Sequence, residues 1–77
     1  METITENLSV DTRVANELIR RSAENQWPVH IQLGIPFKTE NGNRMAEMTV
    51  EYIDDFPFGQ KLDEVINDVF ALKEEEL

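Results

Sequence analysis

Between Trp27 and Ile53 apolar and polar residues alternate along two successive runs. Trp27, Val29, Ile31, Leu33, Ile35 and Phe37 are separated by Pro28, His30, Gln32, Gly34, Pro36 and Lys38, and on the return Ala46, Met48, Val50 and Tyr52 alternate with Met45, Glu47, Thr49, Glu51 and Ile53. A period of two marks strands that bury one face. The polar stretch Lys38 to Arg44 joins them, so the pattern predicts an antiparallel β-hairpin. A slip of one residue would turn a whole strand over. Matching the apolar faces therefore sets Phe37 opposite Ala46, Ile35 opposite Met48, Leu33 opposite Val50 and Ile31 opposite Tyr52.

Pro36 constrains the turn, because it has no N–H to give to a ladder. A tight Asn41-Gly42 turn would place it at a hydrogen-bonded site, since such sites alternate outward from the closing pair. A four-residue loop, Glu40 to Asn43, keeps the same pairing and turns the Pro36 nitrogen away. The alternative is a register slid by two residues around a Gly42-Asn43 turn, which pairs Lys38 with Glu47 but sets Ile31 against Asp54. Gly34, on the polar face, weakens its strand and points to a bulge or to the close approach of another backbone.

Helical spacing flanks the hairpin on both sides. Val14, Ala15, Leu18, Ile19 and Ser22 share one face of a first helix that begins near Ser9 or Asp11, either of which can cap it. It stops by about Asn25, a residue suited to the left-handed position after a helix, because Pro28 forces Trp27 into an extended conformation. Asp54 to Gly59 reads as a turn. A second helix runs from Gln60 to about Lys73, with Leu62, Val65, Ile66, Val69 and Phe70 forming a stripe that should lie across the apolar sheet face. The acids at 74–76 oppose the negative end of its dipole. Ahead of the first helix, Thr3-Ile4-Thr5 reads either as a short third strand or as a frayed lead. The expected architecture is a single α+β domain over residues 1–77, order (β)αββα, with both helices on one face and 1–7 and 74–77 frayed.

At 77 residues a chain supports one core and buries about 60% of its unfolded surface, so stability should be small. There is no cysteine and a single histidine, so neither disulfides nor a zinc cluster is expected to staple it. The N-terminus lacks the pattern of a signal peptide and no apolar run reaches membrane-spanning length, which together predict a cytoplasmic protein.

Charge changes the picture more. Sixteen acids against seven bases give a net charge of −9, and residues 39–77 hold eleven of those acids and three of the bases. Direct binding to nucleic acid or to an anionic membrane is not expected on this balance, because both need a basic surface.

Candidate chemistry is sparse. His30 lies on the polar strand face with no serine near it, so no nucleophile–base pair is expected. Asp54 and Asp55 could form half of an acid/base or metal site, but no metal-loop or nucleotide-binding motif accompanies them. Phe56 and Phe58, around Pro57, either close the end of the core or anchor a partner, and the weight of aromatics in small cores favours the first. Asp63, Glu64, Asp68 and Glu75 lie off the apolar stripe of the second helix, where a carboxylate ridge can imitate a phosphate backbone; a solvated helix face is the plainer reading.

The order of elements, with Glu17-Leu18-Ile19-Arg20-Arg21 in the first helix and acids in the last, resembles the small damage-inducible RecA modulators of the DinI type. The resemblance implies that such a layout can serve an acidic regulator of a DNA-binding protein; it assigns no role to any residue. The expectation is a non-enzymatic interaction protein, without cofactor or metal, that binds a basic partner of the nucleic-acid-binding kind. The partner-binding candidates are Glu47, Glu51, Asp54, Asp55, Phe56, Phe58, Asp63, Glu64, Asp68 and Glu75. The competing expectation is a homodimer or larger assembly built through the sheet edge or the apolar face.

Overall fold

The structure, a computed structural model, describes the backbone of residues 2–75 and side chains as far as Ala71. Its elements are β1 (Thr3–Asp11), α1 (Thr12–Glu24), β2 (Val29–Lys38), β3 (Arg44–Ile53) and α2 (Phe58–Glu75). This is a small α+β domain of order βαββα. The strands form one antiparallel sheet in the order β1-β3-β2, with β3 central and an edge strand on either side.

The N-terminal lead is a full strand. Ile4, Leu8 and Val10 turn inward while Thr3, Thr5, Asn7 and Ser9 turn outward, and the ladder to β3 runs from Thr3 opposite Ile53 to Asp11 opposite Met45. Glu6 is the only inward polar residue of β1 and half-buried, an arrangement that discourages an edge strand from pairing with other chains. Ser9 thus belongs to the strand, and Asp11 is the N-cap, accepting a 2.8 Å bond from the Arg13 backbone N–H.

At the other end of α1 the cap differs from expectation. Asn25 keeps φ at −98° and Gln26 takes the left-handed position at +53°. The Trp27 N–H then reaches back to the Ser22 carbonyl at 3.0 Å, the long bond of a Schellman cap, which requires the left-handed residue immediately before its donor. Between the caps, Val14, Ala15 and Leu18 are buried against the sheet.

The hairpin has neither of the two registers its alternation suggested. Its loop has three residues, Glu40 to Gly42. The Gly42 N–H bonds the Thr39 carbonyl at 2.9 Å, Gly42 sits at φ +84°, and the Thr39 N–H bonds the Asn43 carbonyl at 2.9 Å. Only glycine adopts such a φ cheaply, and the type of turn is one of the common hairpin solutions. An odd loop pairs Phe37 with Met45 and Pro36 with Ala46. Continued unbroken, that offset would set Leu33 and Ile31 against the polar face of β3. A bulge at Gly34 and Ile35, two residues against Glu47, restores the match, so that Leu33 faces Met48, Ile31 faces Val50 and Val29 faces Tyr52. Such an extra residue bends one strand and shifts every pairing beyond it. A Cβ on Gly34 would lie 3.4 Å from the Glu47 carbonyl oxygen, so Gly34 marks both the bulge and a close backbone approach. Counting outward from Thr39–Asn43, Pro36 falls at a non-hydrogen-bonded site, as its missing N–H demands.

Helix α2 starts at Phe58, before the expected Gln60, with the Pro57 carbonyl accepting the Lys61 N–H at 3.1 Å. Its backbone lies closer to α1 than to the sheet. The stripe packs beside α1 on the apolar side of the sheet: Val65 is buried in one cluster with Met48 and Val50, Leu62, Ile66 and Val69 pack against that core, and Phe70 stays 41% exposed beneath the Arg13 guanidinium. The core joins Val10, Val14, Ala15, Leu18, Met48, Val50, Phe58 and Val65 on one side of the sheet. The thinnest dimension, 17 Å, fits one helix layer on one sheet layer.

Candidate functional site

The outer face of the sheet has no helix over it. Inward Ala46, Met48 and Val50 are buried, so strand alternation turns Glu47, Thr49 and Glu51 outward. Rows of polar side chains cross this face. Glu51 stands between Thr5 and His30, Thr49 between Asn7 and Gln32, and Glu47 between Ser9 and the bulge of β2. The Thr49 hydroxyl donates to Asn7 Oδ1 at 2.9 Å. Asp54 and Asp55 continue the acidic line into the exposed β3–α2 turn, where the Asp54 N–H bonds the Glu2 carbonyl at 3.0 Å.

The two phenylalanines of that turn separate. Phe58 is 1% exposed and stacks on Tyr52 with ring centroids 5.1 Å apart. As a partner anchor it is ruled out; it belongs to the core. Phe56 is half-buried, 5.7 Å from the Trp27 ring and 6.5 Å from Tyr52. Lys61 extends this cluster, its ammonium 5.8 Å from the centre of the Trp27 ring. The Tyr52 phenol is held above its ordinary pKa, first by burial and then by the nearby charge of Glu6.

Asp63, Glu64 and Asp68 are exposed on α2 and so lie in the helix layer, on the other side of the molecule from Glu47 and Glu51. Acids that form one run in sequence are therefore divided between two faces. Asp68 already has a partner: Arg21 Nη2 donates to it at 2.7 Å, tying α2 to α1. Lys61 and Glu64 are 4.0 Å apart. The Glu75 side chain lies outside the described residues.

The arginines of α1 are all engaged. Arg13 holds Asp11 at 2.9 Å, Arg20 reaches both Glu17 and Glu24 at 2.6 Å, and Arg21 adds Glu17 at 3.1 Å to its bond with Asp68. Hydrogen bonding from Arg20, opposed by partial burial and assisted by Arg21, lowers the Glu17 carboxyl from 4.5 to about 2. A carboxylate whose folded pKa is depressed stabilises the fold above its unfolded pKa and loses that contribution as the pH falls through the folded one. Part of the stability should accordingly disappear between about pH 4.5 and about pH 2. Urea midpoints measured across that range should fall less steeply for Glu17→Gln than for the parent; identical slopes would mean that the Glu17 cluster does not couple to folding.

Among the described residues no three histidine or acidic side chains converge as metal ligands. His30 is exposed opposite Glu51, and the Ser22 hydroxyl is spent on the Ile19 carbonyl at 2.9 Å. What the site offers is an open surface bearing fixed negative charge, with Met45 and the 41% exposed Phe37 at its loop end. Glu47, Glu51, Asp54, Asp55 and Asp63 have no cation within 4.0 Å among the described residues.

Two residues outside the sequence-derived set also stand out. Lys38 and Arg44 face each other across the hairpin beside its loop, and they are the only lysine or arginine among the described side chains without an acid within 4.0 Å. Basic residues bracketing a loop in a strongly acidic chain were the clue available in sequence. Compared with protein-family models, with curated proteins and with solved structures, the chain matches none.

Proposed function

We propose that this is a non-enzymatic interaction protein that binds and modulates a basic partner of the nucleic-acid-binding class. The acids of the open sheet face and the following turn stand in for the phosphates such a partner ordinarily meets. The observation that supports this is the partition of charge. The arginines of α1 are neutralised within the chain, whereas Glu47, Glu51, Asp54 and Asp55 face solvent with no counter-ion among the described residues. A partner supplying lysines and arginines would complete those pairs, and the fixed negative field would speed its approach at low salt.

The four exposed carboxylates make the cleanest test. Asp68 does not, because its neutralisation would also free Arg21. Basic nucleic-acid-binding proteins retained on the immobilised chain should elute along a salt gradient and be displaced by duplex DNA. At about 0.5 kcal/mol per exposed ion pair, the combined variant Glu47→Gln, Glu51→Gln, Asp54→Asn, Asp55→Asn should bind roughly 30-fold more weakly while folding normally. Retention that ignores salt, or that the variant keeps in full, would overturn the proposal.

A further inference from the structure

On the helix side of the sheet, α1 leaves the loop end of the hairpin uncovered. The open groove there has a volume of about 490 Å³, within the range of roughly 300–1,000 Å³ that ligand sites occupy. Its walls are apolar where Ala15, Leu33, Pro36 and Ala46 meet, and Lys38 and Arg44 stand at its loop end. Leu33, 43% exposed, lines it from the helix side, while Phe37, which also borders it, pairs with the outward-facing Met45.

Charge identifies what suits it. Like charges directly opposite each other on neighbouring strands repel, and register and alternation put Lys38 and Arg44 opposite each other on the helix side. No acid among the described residues relieves them, although acids outnumber bases by sixteen to seven in the chain. An anion placed between them would remove the repulsion and gain charge-assisted hydrogen bonds, the arginine offering the fork that a carboxylate matches. The groove is open along its length, so a small molecule would stay half exposed, whereas a peptide can lay successive side chains along it. The geometry points to a docking site for an apolar, acid-bearing segment of a partner protein, its side chains against Ala15, Leu33, Pro36 and Ala46 and its carboxylates on Lys38 and Arg44. The site is opposite in sign to the acidic face and independent of the reading given to that face.

Amide NMR spectra of the full chain, titrated with a short synthetic peptide of leucine, phenylalanine and glutamate and with its lysine-for-glutamate counterpart, provide the test. The acidic peptide should shift the signals of Ala15, Leu33 and Ala46, the basic one should not, and the double variant Lys38→Gln, Arg44→Gln should bind roughly tenfold more weakly. Lys38→Glu separates binding from folding. By pairing with Arg44 it should raise the thermal midpoint while abolishing binding of the acidic peptide. Equal response to both peptides, no response to either, or unchanged affinity in the variants would overturn the inference. So would concentration-dependent shifts at these residues without peptide, which would assign the groove to a second copy, and shifts with decanoate alone, which would assign it to a small amphiphile.

Discussion

Phe58→Ala should cost about 3–5 kcal/mol of folding stability, the usual range for deleting a buried aromatic. The ring is 1% exposed, stacks on Tyr52 and opens α2, so it is one of the few side chains that carry the second helix into the core. That helix runs nearer to α1 than to the sheet, and losing its first-turn anchor removes a large share of what fixes it. A small domain holds about 5–15 kcal/mol in total, so the variant should be near the edge of unfolding at room temperature. Phe56→Ala, at a half-buried ring, should cost clearly less. Urea denaturation of the two variants decides the matter: a loss below about 1 kcal/mol for Phe58→Ala would place that ring outside the core.

Leu18→Ala should cost about 2–5 kcal/mol. Leu18 is 0% exposed and belongs to the buried cluster that includes Met48 and Val50 of the central strand. Methionine of similar volume can fill the space, so Leu18→Met should lose less than about 1.5 kcal/mol. Helix content by circular dichroism and Trp27 fluorescence should report one coincident transition in both variants, because α1 and α2 share one core with the sheet and neither helix has a core of its own. Separate transitions would show α2 melting independently.

Much of this architecture was legible because its signals are local. The stripe Leu62-Val65-Ile66-Val69-Phe70 announces a helix without knowledge of its neighbours, and the two alternating runs announce a hairpin. β1 carries the same alternation from Ile4 to Val10, but Glu6 interrupts it at an inward position and leaves too few apolar residues to decide between strand and lead. The register was not legible, because it depends on two irregularities acting together, the odd loop made possible by Gly42 and the bulge at Gly34–Ile35. Either one alone turns the apolar face of β2 the wrong way.

The candidate site divides along the same lines. Outward placement of Glu47 and Glu51 follows directly from a period of two. That Asp68 is committed to Arg21, a residue 47 positions away in sequence, follows only from how α2 lies on α1. The fate of Phe58 turned on a helix that begins before its glycine, at a proline that could equally have closed a turn. The groove at Lys38 and Arg44 needed both the bulge and the path of α1, and no window of sequence contains both.

The paired irregularities of the hairpin also bear on how its length can vary. Each changes the parity of the strand pairing, and together they cancel. Removing one residue at the bulge leaves a regular ladder on the same Glu40–Gly42 loop, with Leu33 still on Met48 and Pro36 still on Ala46. Removing both and letting the loop grow to Glu40–Asn43 keeps Leu33 on Met48 and brings Phe37 opposite Ala46 on the helix side, over the groove. A one-residue deletion here therefore keeps the groove open, a two-residue deletion exchanges it for a filled one, and in both cases the core beneath keeps its pairing.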